Sequence, residues 1–339
     1  MKPTISQTLF SVLGVLAALA AAELVLRPWA SAWLENPPTR AVPTEVRQYY
    51  EGFASAHYAT DGERLTGNPP VAGAPHVLIL GDSHVEAMQV SDGETMGAVV
   101  ELHARNAGAP INAHQYGWSY SAAPTYAQAA PRLLERWQPA ATVVVLHSSD
   151  LEQAYFGAIR ISTDQNHQDG IPKIIDERAQ TPRTGWRYAV GRPVLANSTL
   201  AYQLYIAARM MEHTALNDAL PRQRAQTSTP EAALASVRLL KAAYGARLLI
   251  VYDMYLHGLH TATVDDDGTV ERSLMQACAE EGVRCVLTRA MFTHDRLVRT
   301  RFSRGFSNTP PGVGHWNQTG HALLGELIWQ QLQTPVGRR

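Results

Sequence analysis

Cysteine is scarce in this 339-residue chain: Cys278 and Cys285 are the only two. A cysteine-built zinc cluster needs more ligands at tighter spacing, and a disulfide miniprotein needs more bridges. A surplus of charge is missing too. Lys and Arg total 29 against 30 for Asp and Glu, a formal net charge of −1. There is no basic stripe, so phosphate neutralisation, and with it nucleic-acid binding, is excluded as the chain's business. Internal repeats and low-complexity tracts are absent. What remains is a chain with 45% hydrophobic residues, long enough to bury one large core or two ordinary ones.

The first residues differ from the rest. Lys2 precedes an apolar run from Leu9 to Ala22, which is broken by Glu23 and ended by Arg27 and Pro28. A basic start before such a run reads as a signal peptide, with Ala20-Ala21-Ala22 as the cleavage site. With Glu23 near the interface, Leu9 to Leu26 is also long enough for a tilted membrane anchor. Residues 1–27 are therefore expected to be a leader or an anchor. Both readings put the main domain in the cell envelope, outside the cytoplasm, either tied to the inner membrane or secreted. A buried amphipathic helix fits less well, because the run is apolar on all faces. In an oxidising compartment Cys278 and Cys285 either form a disulfide or remain two separate buried thiols.

Residues 28–70, rich in Pro, Tyr and charge with little periodicity, read as a linker and N-terminal cover. A regular alternation starts at Pro75. His76 to Leu80 is a short apolar run suited to a strand buried on both faces. A helix follows over 94–105, a weaker strand over 111–115, a helix over 126–137 and a β-branched strand over 142–146. Later come a helix over 230–244, a strand over 247–252, a helix over 272–281, a short strand over 283–287 and a closing helix over 320–332. Such alternation predicts a mostly parallel sheet covered on both faces, with the ligand beyond the carboxyl ends of the strands. Residues 151–226, with a helix-like stretch over 198–213, interrupt it and read as an inserted cap or lid on the domain spanning 71–335.

Four places at strand or helix ends carry chemistry. Gly81-Asp82-Ser83-His84 stands where a buried strand gives way to a helical turn, which presents a serine hydroxyl at the top of the sheet. His315-Trp316-Asn317-Gln318-Thr319-Gly320-His321 precedes and opens the last helix. Asn317 or Thr319 suits its cap, leaving His315 in the loop as a general base; His321 falls inside the helix and reads as packing or capping. Gly117 follows the second strand, and His147-Ser148-Ser149-Asp150 follows the third. A glycine N–H and a short polar side chain at that edge are the donors an oxyanion hole uses.

In this order the four stretches resemble the SGNH (GDSL-type) hydrolase superfamily. The resemblance runs from about Val77 to Leu332 and is clearest over Val77 to Ser83 and His315 to His321. It is nearest to the membrane-anchored envelope members, which begin with an apolar helix followed by a Glu and an Arg, as Glu23 and Arg27 stand here. The resemblance implies a three-layer α/β/α sandwich and acyl-ester chemistry on polysaccharides, lipids or small esters. It implies Ser83 as nucleophile, His315 as base, and the N–H groups of Ser83 and Gly117 in the oxyanion hole. Two positions depart from the pattern. Ser149 stands where the family usually has Asn, and serine reaches less far. Gly312 and Val313 stand where an orienting Asp is expected. Asp295, nearest upstream, and Asp150 are the first substitutes; Asp253 and Glu86 qualify if the fold brings them near, and failing these the site works as a Ser–His dyad or does not work.

The remaining clusters read blandly. His257 and His260 lack a carboxylate-bearing helix to complete a metal site, and Asp265-Asp266-Asp267-Gly268 lacks the spacing and distal Glu of a calcium loop. Trp118 and Trp316 flank the proposed site and either stack on a sugar ring or pack in the core. The leading reading is an acyl-ester hydrolase or O-acetyltransferase acting on envelope or extracellular glycans, needing no metal and no organic cofactor. Its partners would be a glycan or small ester, the membrane through the N-terminal helix, and envelope or polysaccharide-assembly proteins. The alternative is a catalytically degenerate fold kept as a glycan-binding or scaffolding subunit. A solute-binding protein would show two similar lobes, where the sequence shows one sheet.

Overall fold

The structure is a computed structural model, which describes residues 5–26, 44–48, 51–52, 54–119, 121–151, 159–162, 173–176, 200, 204, 230–253, 268–307, 309 and 311–334. The chain divides into two compact units, Met1–Asn36 with Thr181–Ala225, and Pro37–Gln180 with Gln226–Arg339. In the first unit, helix α1 (Ile5–Leu26) places Glu23 to accept a hydrogen bond from the Leu200 N–H at 3.0 Å. Among the described residues no helix is long and apolar enough to cross a membrane; within α1, the side chains of residues 5–12, 16 and 26 lie outside the described ones. The expected cap over 151–226 and the helix over 198–213 lie mostly outside the described residues. His257, His260 and Asp265 to Asp267 lie wholly outside them.

The second unit is an α/β fold. It opens with an antiparallel pair, β1 (Thr44–Gln48) and β2 (Ala54–Tyr58). A five-stranded sheet follows, formed by β3 (His76–Gly81), β4 (Asn112–Gly117), β5 (Ala141–His147), β8 (Leu248–Asp253) and β9 (Arg284–Leu287). Between β5 and β8 lies the antiparallel pair β6 (Ile159–Ser162) and β7 (Lys173–Asp176). The sheet order is β4-β3-β5-β8-β9, and every pairing in it is parallel. The helices are α2 (Ser83–Glu86), α3 (Met96–Asn106), α4 (Ala123–Trp137), α5 (Pro230–Tyr244), α6 (Thr269–Glu281), α7 (Arg289–Val298) and α8 (Gln318–Gln333).

Successive strand residues serve opposite layers. Leu78, Leu80, Val144, Leu146 and Ile250 pack with Tyr126, Leu133, Val237, Leu240 and Leu274 of α4, α5 and α6. Val77, Ile79, Val143, Val145 and Val251 pack with Met96, Val100, Leu324 and Ile328 of α3 and α8. Both faces of the sheet are dry, which is why the strands read as continuous apolar runs. Each fully buried Leu, Ile or Val contributes roughly 2 kcal/mol. Helix α4 starts at Ala123, ahead of the expected Tyr126, because Pro124 is tolerated in a first turn whose N–H groups need no intrahelical partner. Helix α7 was not legible in the sequence.

The strand order sends one crossover to the left of β3 and the next to its right. The chain therefore diverges beyond the carboxyl ends of β3 and β5, where a doubly wound sheet leaves its crevice. Part of the stretch read as a cover lines the outer edge of the sheet. The Arg64 N–H donates to Gln115 O of β4 at 2.8 Å. The Arg64 side chain, fully buried, donates to Val90 O and Leu65 O, each at 2.8 Å, and to Asp92. It thus holds the loop that follows α2.

Candidate active site

Ser83 opens α2 directly after β3. Asp82 is the N-cap, its carboxylate accepting from the His84 N–H at 2.9 Å. An aspartate in that place satisfies an N–H that a helix start would leave unpaired. The turn packs tightly on the end of β4, where Gly117 stands in register with Gly81. A Cβ on Gly117 would lie 1.9 Å from Glu86 N, so only glycine lets α2 approach the strand this closely. Tyr58 of β2 ties the far end of the turn by donating to Glu86 O at 2.8 Å.

At the other end of the chain Asn317 caps α8, accepting from the Gly320 N–H at 3.1 Å, and its amide donates to Gly305 O and Phe302 O at 2.8 and 3.0 Å. His315 is thereby left in the loop before the helix. Its Nε2 lies 2.9 Å from Ser83 Oγ, across 232 positions of sequence. Its Nδ1 lies 2.6 Å from Glu51 Oε2, which also accepts from the His315 N–H at 3.0 Å. Hydroxyl, imidazole and carboxylate stand in a row. Gly314 makes the approach possible. It adopts φ +87°, and a Cβ there would lie 2.6 Å from Glu51 Oε1.

The carboxylate on the ring is thus Glu51, and the substitutes expected from the sequence are engaged elsewhere. Asp295 is held by Arg301 at 2.6 Å and Arg299 at 3.5 Å. Asp150 accepts from the His147 N–H at 2.9 Å. Asp253 pairs with Arg304, and Glu86 accepts from Ser119. Asp295 and Asp150 are not the ring's partners because Arg301 and Arg299 hold the one and the His147 N–H the other, while residue 51 arrives at the ring from the N-terminal stretch. No periodicity marks Glu51 in the sequence; it stands alone in a stretch of Pro, Tyr and charge.

Ser149 lies in the single turn Ser148–Leu151 that follows β5, at the same edge of the sheet, and its side chain is outside the described ones. Trp118 and Trp316 are 5% and 1% exposed. Trp118 stacks in the core near Tyr116 and Tyr126, and Trp316 donates to Asp253 at 3.1 Å. Neither face is open to a sugar, so of the two readings it is core packing that the structure bears out. His321 is buried in α8, edge-on to Trp316.

Beneath His315 lies a stack the sequence did not reveal. The His84 ring sits 4.6 Å from that of His315, 4.7 Å from that of His147 and 4.7 Å from the Trp316 indole. Burial, then the nearby Arg304 cation, push His84 well below its ordinary range; burial, then the adjoining His84 ring and Arg304, do the same to His147. Burial and neighbouring cations push His321 down to about 3. The rings around His315 are therefore neutral at physiological pH.

The carboxylates differ. Burial alone would raise Glu51, but the hydrogen bond and charge of His315 outweigh it and hold Glu51 below its ordinary value. Burial pushes Glu86 up to about 7, against the lowering effect of the Ser119 hydrogen bond. Two acids at one site are thus split by environment: Glu51 is ionised beside His315, and Glu86 is half protonated near neutrality.

A hydroxyl facing a ring nitrogen, with an ionised carboxylate on the other ring nitrogen, can pass a proton from oxygen to imidazole and stabilise the imidazolium that results.

No family model matches the chain, and no curated protein matches it. Among solved structures it is similar to Axe2, an acetylxylan esterase from Geobacillus stearothermophilus, with a TM-score of 0.43 and 11% identity over 78% of this chain and 96% of that one. It is similar to the lipase/acylhydrolase from Enterococcus faecalis, with a TM-score of 0.43 and 10% identity over 76% of this chain and 95% of that one. It is also similar to TesA, with a TM-score of 0.41 and 14% identity over 76% of this chain and 98% of that one.

Proposed function

We propose that this chain is a serine-dependent acyl-ester enzyme of the cell envelope, with the SGNH-type machinery its motifs resemble. One observation carries the reading: Ser83 Oγ, the His315 imidazole and the Glu51 carboxylate stand in a hydrogen-bonded row at 2.9 and 2.6 Å. Ser83 attacks the carbonyl carbon of the ester as its proton passes to His315 Nε2. The negative charge that develops on the carbonyl oxygen is met by the N–H groups of Ser83 and Gly117, with Ser149 at the same edge. Each such donor is worth roughly 3 kcal/mol in the transition state. Collapse expels the alcohol, which takes the proton from His315, and the acyl group stays on Ser83. Glu51 remains ionised throughout and holds the ring in the tautomer that can accept from Ser83.

The substrate class is an O-acetyl or other short acyl ester on a glycan, or a small ester. Transfer of the acyl group to water makes the chain an esterase; transfer to a sugar hydroxyl makes it an O-acyltransferase. No step in this chemistry uses a metal or an organic cofactor. The extracytoplasmic placement is supported by the Cys278–Cys285 disulfide, a bond that persists in oxidising compartments. Envelope or polysaccharide-assembly proteins are the partners such a placement implies. The scaffold alternative drew on two departures, the missing acid before His315 and Ser149 in place of Asn; Glu51 on the His315 ring supports the enzyme reading against the first of them.

The test is release of p-nitrophenol from p-nitrophenyl acetate by the full chain beside Ser83→Ala and His315→Ala. Turnover is expected in the wild type alone, together with labelling of Ser83 by a fluorophosphonate. Equal rates in all three proteins would end the reading.

A further inference from the structure

One guanidinium reaches both halves of the site. Arg304 lies in the loop between α7 and α8 and is 6% exposed. Its Nη1 donates to His84 Nε2 and to Gly314 O, each at 2.7 Å. His84 is the residue after Ser83, and Gly314 is the residue before His315. Its Nη2 donates to Asp253 at the end of β8. Asp253 in turn accepts from Trp316 Nε1 at 3.1 Å and from Thr288 Oγ1 at 2.5 Å. The guanidinium also lies over the Trp316 ring, 5.3 Å from its centre.

We propose that Arg304, oriented by Asp253, is the positioning residue that sets the distance between Ser83 and His315. The inference rests on the reading of those two residues as nucleophile and base. His315 follows a glycine at φ +87°, and its ring, held by Glu51 at Nδ1, stands 2.9 Å from Ser83 Oγ at Nε2, so the course of the Gly314 backbone bears directly on that distance. The planar fork fixes the Gly314 carbonyl on one side and, on the other, the His84 ring that supports His315 from below at 4.6 Å. A lysine carries the same charge but presents donors from a single nitrogen, so it cannot meet Asp253, Gly314 O and His84 with this geometry. Arg304 is buried, and its guanidinium is engaged by His84, Gly314 O and Asp253. Its loss should therefore act on turnover and leave ground-state binding alone.

Arg304→Lys keeps a cation opposite Asp253. A displacement of about 1 Å at reacting atoms slows chemistry by roughly 100-fold, so kcat on p-nitrophenyl acetate should fall by about that factor, with KM within about twofold. The downfield proton resonance of the His315 Nδ1–H, identified by its loss in Glu51→Gln, should move or broaden. A folded Lys variant with kcat within about threefold of wild type overturns the proposal, and so does a loss confined to KM. If Arg304→Lys does not fold, Arg304→Gln with Asp253→Asn removes both buried charges together and is held to the same criteria. A wild type without turnover breaks the ester-enzyme reading instead; the resonance then decides alone, and its constancy in the variant overturns the positioning role.

Discussion

Glu51→Gln is the most informative single change at this site. The amide keeps the size and reach of the side chain and removes only the charge. In the wild type the carboxylate meets the ring at 2.6 Å and the backbone N–H of the same residue at 3.0 Å. In the proposed reaction His315 takes the proton from Ser83, and an imidazolium then faces this carboxylate. Two unit charges about 4 Å apart interact by roughly 4 kcal/mol at an effective dielectric constant of about 20. Glu51 is 8% exposed, so solvent screens the pair weakly. The hydrogen bond, worth about 1.5–3 kcal/mol when one partner is charged, describes the same contact and is not added. A loss of about 4 kcal/mol is close to a thousandfold in kcat. The assay is kcat on p-nitrophenyl acetate, with Ser83→Ala as the blank and circular dichroism as the check on folding. A folded Glu51→Gln that turns over within about threefold of wild type, while Ser83→Ala is inactive, would refute the assignment of the acid.

Other outcomes follow from the same contacts. Burial raises Glu86 from 4.5 to about 7, so the native state holds its proton more tightly than the unfolded chain does. That contribution is complete below about pH 4.5, fades as pH rises through 7, and amounts to about 3 kcal/mol. Urea midpoints at pH 5 and pH 8 should therefore converge in Glu86→Gln, and an unchanged gap would count against the buried acid. Glu51 has the opposite sign: it adds stability above its ordinary value of 4.5 that is lost as pH falls through its lowered one. Acid unfolding should be shallower in Glu51→Gln, and matching acid curves would contradict the shift. The Cys278–Cys285 bridge spans a sequence separation of 7, and a loop that short contributes about 2.5 kcal/mol through chain entropy. Reduction should lower the melting temperature without changing kcat, and an unmoved melt would argue that the bridge does not constrain the unfolded chain. Gly117→Ala would drive a methyl group into Glu86 N, so loss of both stability, by about 1–3 kcal/mol, and fluorophosphonate labelling is expected. Wild-type labelling in that variant would disprove the close approach.

The sequence by itself determined the layers and the positions of Ser83 and His315, the two ends of the hydrogen-bonded pair. A parallel strand buried on both faces must be apolar throughout, so β3, β5 and β8 announce themselves as runs such as Val77 to Leu80 and Val143 to Leu146. A serine after one such run and a histidine before the last helix are local features, because turn and cap geometry involve only near neighbours. The contacts that complete the site are not local. Glu51 meets His315 across 264 positions, and Arg304 meets His84 across 220. Glu51, Arg304 and Asp253 have no periodicity to betray them, since each is placed by a loop end or a strand end and each role depends on which distant group arrives opposite. The same reasoning explains the two tryptophans. An indole beside a motif looks available in one dimension, and only the packed core decided that Trp118 and Trp316 face inward. Hydrophobic pattern carries a strand's position in the sheet; the partner of a buried charge is carried by the fold alone.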